Sequence, residues 1–151
     1  MKHILLFCLT LTLASSGFGQ SSSSFNKALA DSLGADEYGM KQYMLVILKT
    51  GADTSAGKEK TDQLFRGHMA NINKMATDGK LVVAGPFGKN DRRYRGIFIL
   101  NVKTEVEAKS LLANDPAISG KLLAAEIYPW YGSAALPMYL DDHKKIESAA
   151  P

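Results

Sequence analysis

His68 is the side chain in this sequence best suited to moving a proton. The unperturbed pKa of an imidazole lies near neutrality, and burial or a charged neighbour shifts it further. On a helical wheel at about 100° per residue, Leu64, Phe65, Met69, Ile72, Met75 and Ala76 share one arc, and His68 falls inside it. Arg66, Asn73, Lys74, Thr77 and Asp78 fall outside it. An imidazole on the buried arc is either a general acid or base in a cavity, or a core histidine satisfied by a carbonyl or carboxylate. Asp115 is the natural carboxylate partner, and together His68 and Asp115 are the candidate catalytic pair. The competing reading of Asp115 is a turn residue before Pro116 that ends a helix.

Other chemistry-bearing residues admit plainer readings. Arg92, Arg93 and Arg95 form either a solvated basic loop or an anion-binding flap. Gly85-Pro86 is a strand end, or a place where a ligand approaches the backbone closely. Trp130-Tyr131 reads as packing or a dimer contact rather than a binding box. Asp141, Asp142 and His143 have metal-ligating chemistry but lie in a polar tail, so no metal site is expected. Asp78 is a turn residue. No phosphate loop, metalloprotease helix or serine elbow is present, and no cofactor is expected.

The elements that must position these residues follow from the apolar pattern. Asn26 to Leu33 allows two helical turns, closed by Gly34. Gln42 to Lys49 is a strand, apolar enough to be buried on both faces. The central helix runs from Lys58 to Asp78, where Asp78-Gly79 ends it. Lys80 to Ala84 is a strand stopped by Gly85-Pro86, and Arg95 to Val102 is the second arm of a hairpin. Thr104 and Glu107 form a capping box for a second helix, which ends at Asn114-Asp115-Pro116. Lys121 to Tyr128 is the last strand, ended by Pro129, and the tail is expected to fray beyond Leu140.

This β-α-β-β-α-β order predicts an α+β, ferredoxin-like fold with a four-stranded antiparallel sheet. Both helices cover one face. The other face also carries apolar side chains, and a second subunit packed sheet to sheet would cover it, so a homodimer is expected. In this topology the end of the second helix lies beside the first, which makes contact between Asp115 and His68 feasible.

The N-terminus has the layout of a secretory signal. Met1-Lys2-His3 is basic, Ile4 to Ala14 is apolar, and Ser15 to Gly19 is small and polar apart from Phe18. Residues 1–19 are therefore expected to be removed, leaving a linker and short helix (20–41), the main domain (42–136) and a polar tail (137–151). The apolar run is too short to span a bilayer comfortably. An exported protein, periplasmic or extracellular, follows, with no membrane association after cleavage. Cys8 is the single cysteine and would leave with the signal, which excludes disulfides and thiolate chemistry in the mature chain. The formal charge is +3 over 151 residues, with no basic stripe interleaved with aromatics, so nucleic acid is not an expected partner.

His68, Asp78-Gly79-Lys80-Leu81, Ala84-Gly85-Pro86, Asp115-Pro116-Ala117 and Pro129-Trp130 occur here in that order. Together they resemble the YCII-related (YciI-like) family of the dimeric α/β-barrel superfamily, over about Gln42 to Leu136. The run from Pro129 to Leu136 is similar to a secreted bacterial branch of it. One departure is that Ser119-Gly120 follows Ile118 directly, where the family often has Ala-Gly slightly later. The resemblance implies a ferredoxin-like fold, a dimer, and a histidine and aspartate proposed as an active-site pair, which fall on His68 and Asp115. Three functions stay open: an acid-base enzyme acting on an unknown small molecule, a non-catalytic ligand-binding protein, or a structural dimer module with His68 in its core.

Overall fold

The computed structural model describes residues 24–149. The expected signal segment, Cys8 and most of the serine run lie outside these residues.

A short helix α1 (Lys27–Leu33) comes first, capped by Asn26 and closed by left-handed Gly34. Strand β1 (Met40–Thr50) follows, then the 20-residue helix α2 (Lys58–Thr77). At about 1.5 Å per residue, α2 is roughly 30 Å long, enough to cross the sheet. Gly79, at φ +67°, takes the left-handed conformation that ends it, and Asp78 is the turn residue expected. Strands β2 (Leu81–Pro86) and β3 (Tyr94–Leu100) form the hairpin. Helix α3 (Glu105–Ala113) begins at the Thr104–Glu107 capping box. A single helical turn, α4 (Pro116–Ser119), precedes strand β4 (Leu123–Ser133). A 3₁₀ turn (Leu136–Tyr139) and helix α5 (Leu140–Ile146) complete the described chain.

The sheet order is β2-β3-β1-β4 with every pair antiparallel, which is the ferredoxin-like βαββαβ arrangement. Its core lies between the sheet and the helices. Met44, Val46 and Leu48 of β1 meet Phe98 and Leu100 of β3, Met75 of α2, and Ala108 and Leu112 of α3. A large apolar side chain fully buried in this layer contributes about 1.5–3 kcal/mol.

Three expectations are corrected. The two prolines do not stop their strands: Pro86 pairs with Gly96, and β4 continues through Pro129, which pairs with Met44, as far as Ser133. Both prolines lie on edge strands, where a missing N–H costs no ladder bond if it faces outward. Burial along β1 holds on both faces only at Tyr43 and Met44, and alternates from Met44 to Leu48 within the single chain. Leu45 and Ile47 are only half-buried and lie, in register with Ile99 and Ile97, on the face opposite the helices. The tail beyond Leu140 is helical. It is anchored by the Tyr139 hydroxyl, which donates to the Val82 carbonyl beside the irregularity in β2.

Candidate functional site

His68 lies near the middle of α2, on the side turned toward the sheet, as its place on the apolar arc requires. Its ring stacks on Phe98 of β3 at 5.8 Å between centroids, and Phe65, three residues earlier, meets it edge-on at 6.0 Å. Both aromatic contacts restrict the imidazole to one orientation.

Asp115 reaches this ring because α4 docks tightly on α2. A Cβ on Gly67 would sit 2.6 Å from the Pro116 side chain, and one on Gly120 would sit 2.9 Å from Leu64. Two glycines, one on each partner, therefore let the turn approach α2 closely. Asp115 is the N-cap of α4: Oδ1 accepts from the Ala117 and Ile118 amides, at 3.0 and 3.3 Å. That leaves Oδ2 facing α2. There it lies 2.7 Å from His68 Nδ1 and accepts from the Asn71 amide at 3.3 Å. Asp115 is wholly buried, and the His68 side chain is 9 % exposed.

Burial alone would push the Asp115 carboxyl up. The hydrogen bond and charge of His68, with the Asn71 and Ile118 contacts, outweigh it, and the pKa lies below the ordinary 3.8. Asp115 is thus ionised at neutral pH and can only accept. The Nδ1–H of His68 must donate to it, which leaves Nε2 as the other nitrogen of the ring. Nε2 has no hydrogen-bond partner among the described residues. No side-chain nitrogen or oxygen among them is both sealed from solvent and unpartnered, so Nε2 reaches accessible surface.

Ala84 of β2 pairs with Phe98 and so shares the helix-side face, yet it is exposed. A shallow depression of about 400 Å³ on α2, lined by Asp62, Phe65, Arg66 and Met69, adjoins the pair through Phe65. An imidazole clamped at Nδ1 by a carboxylate, with Nε2 free and aromatic walls, can take up or deliver a proton in a partly dry setting.

His68 and Asp115 are thus together. Asn71 was not anticipated, though its position three residues after His68 puts it on the neighbouring stretch of the same helix surface. The other candidates stand apart. Trp130 packs on Tyr43 at 5.7 Å, on the sheet face away from the helices, while the Tyr131 hydroxyl donates to Asp36. Asp141 and Asp142 pair with Lys144 and Lys145, His143 meets Tyr139 edge-on, and the described residues contain no group of three or more potential metal ligands. Arg92, Arg93 and Arg95 sit at the β2–β3 turn.

No curated protein matches this chain. Among solved structures, it is similar to the 5-chloro-2-hydroxyhydroquinone dehydrochlorinase TftG from Burkholderia phenoliruptrix AC1100, in complex with 2,5-dihydroxybenzoquinone. That similarity is 21% identity over 58% of this chain and 92% of the other, at a TM-score of 0.41. A likeness of that size carries nothing about substrate. The model of the YCII-related domain matches residues 42–131, well over half of the chain and including both His68 and Asp115. The chain belongs to the YCII-related domain family.

Proposed function

We propose that this protein is a small-molecule enzyme in which His68 Nε2 transfers a proton to or from the substrate while Asp115 positions the ring. The supporting observation is the buried 2.7 Å contact between His68 Nδ1 and Asp115 Oδ2, with Nε2 left unpartnered and not sealed from solvent. A carboxylate on Nδ1 sets the tautomer and stabilises the imidazolium that forms when Nε2 takes a proton. Asp115 is a positioning residue here, since its oxygens are fully engaged by the protein. Isomerisation, elimination and hydrolysis are the reaction classes such a pair serves.

A structural reading is favoured by one fact: Asp115 also caps α4, so the pair would hold two helices together even with no substrate. His68→Gln separates the possibilities in a turnover and binding screen of small molecules. An enzyme loses turnover with little loss of binding, a binding protein loses affinity, and a structural histidine chiefly loses stability. Retained turnover in His68→Gln contradicts the proposal.

We also infer a homodimer formed sheet to sheet, in an exported protein whose main domain spans about residues 42–136. The dimer is supported by Leu45, Ile47, Val83, Ile97 and Ile99, half-buried side chains that the register places on the face away from the helices. Light scattering of the wild type and of Ile47→Lys tests it, with a monomeric wild type at micromolar concentration as the contrary result.

A further inference from the structure

We propose that the β2–β3 turn is a second ligand site, for a small organic carboxylate that carries a ring. The turn borders a concavity of about 390 Å³, lined among others by Pro86, Phe87, Lys89, Arg93, Tyr94 and Arg95. None of His68, Asp115, Phe65 or Phe98 lines it, so it is separate from the candidate proton-transfer site.

Charge is the first argument. Lys89 to Arg95 contains four cations and one anion, Asp91, a net +3 in seven residues and equal to the formal charge of the whole chain. Eight lysines elsewhere pair with carboxylates, whereas none of the four clustered cations Lys89, Arg92, Arg93 and Arg95 forms an ion pair among the described residues. Arginine forks suit the two oxygens of a carboxylate.

Preorganisation is the second. The Asn90 side chain donates to the Gly88 and Tyr94 carbonyls, at 2.9 and 2.8 Å, and accepts from the Tyr94 amide at 3.0 Å. Arg93 N–H donates to the Asn90 carbonyl, and its own carbonyl accepts from Thr50 N–H. These bonds hold Arg93 at φ +58°, a conformation in which glycine would be unstrained. A bulky cation is uncommon at such a position and points to use of its side chain. The only other non-glycine residue with positive φ among those described is Lys121, which follows the Gly120 C-cap of α4, where helix endings commonly take this conformation.

The apolar wall is the third. Phe87 is exposed, and its ring lies 6.2 Å from that of Tyr94, tilted by 38°. This pair offers a flat ring a surface beside the guanidinium groups, where cation and aromatic act together.

Amide shifts of the intact protein, followed by NMR during titration with sodium benzoate, benzamide and sodium acetate at fixed ionic strength, test the site. Benzoate should shift the amides of Lys89, Arg93, Tyr94 and Arg95 saturably, and more tightly than the neutral ring or the ringless anion. Arg93→Gly keeps the backbone geometry and should weaken benzoate by about tenfold, the loss expected for one charge-assisted hydrogen bond. Arg95→Gln should weaken it further without altering the turn. Benzamide binding as tightly as benzoate, acetate binding as tightly as benzoate, or unchanged affinity in both variants would each overturn the proposal.

Discussion

Two acid–base pairs lie on opposite faces of one sheet. On the helix side, His68 and Asp115 meet at 2.7 Å, with the carboxylate wholly buried. On the open side, Lys49 of β1 meets Glu126 of β4 at the same 2.7 Å, with both side chains 37 % exposed. Separation is equal, so distance does not distinguish them. Surroundings do. In the single protomer water screens Lys49–Glu126, which lies toward the end of β1, and such surface pairs are worth about 0–1 kcal/mol. Asp115 has no water to fall back on, and every acceptor position it uses is supplied by the protein. Losing one partner of a buried pair strands the other, which costs about 3–5 kcal/mol.

The sharpest way to break this contrast is Asp115→Ala. It removes the partner of His68 and the cap of α4 together, and should destabilise the protein by about 3–5 kcal/mol in urea unfolding. Asp115→Asn keeps the shape and removes the charge, and its effect is legible in pH. The folded pKa of Asp115 is depressed below 3.8. The stability it contributes is fully present above the unfolded value and is lost as pH falls through the folded value. Urea midpoints should therefore fall more steeply below about pH 4 in the wild type than in Asp115→Asn. Parallel acid limbs would mean that the carboxylate does not act through its charge.

A smaller effect is expected from Gly67→Ala, which touches neither partner. Its new Cβ must displace Pro116, and overpacking of this kind costs about 1–3 kcal/mol. Because α4 carries Asp115, the ring signals of His68 should shift as well. Glu126→Gln comes last, with a change within about 1 kcal/mol. A loss as large as that of Asp115→Ala would erase the distinction between the faces.

The parts of this site differ in how far the sequence discloses them. His68 is visible from helical period alone, because the residues that bury it lie within two turns. Asp115 becomes visible only through topology, since the β-α-β-β-α-β order brings the end of α3 beside α2. The close approach that joins them is not visible: Gly67 and Gly120 matter for what stands opposite, and nothing near them in sequence names Pro116 or Leu64. The α4 turn had a local signal, aspartate followed by proline at the first helical position, but the same residues also read as an ending. Pro86 and Pro129 look like terminators until the sheet order makes β2 and β4 the edges. The C-terminal helix was missed because its anchor, Tyr139 on the Val82 carbonyl, spans 57 residues of sequence.

The protonation of the His68 ring is the most direct test of the proposed chemistry. In ¹⁵N NMR of the imidazole nitrogens, the neutral ring of the wild type should carry its proton on Nδ1, facing Asp115, and present an unprotonated Nε2. In Asp115→Asn that preference should weaken or reverse. A wild-type ring with its proton on Nε2 would contradict it, because the nitrogen meant to accept a proton would already hold one.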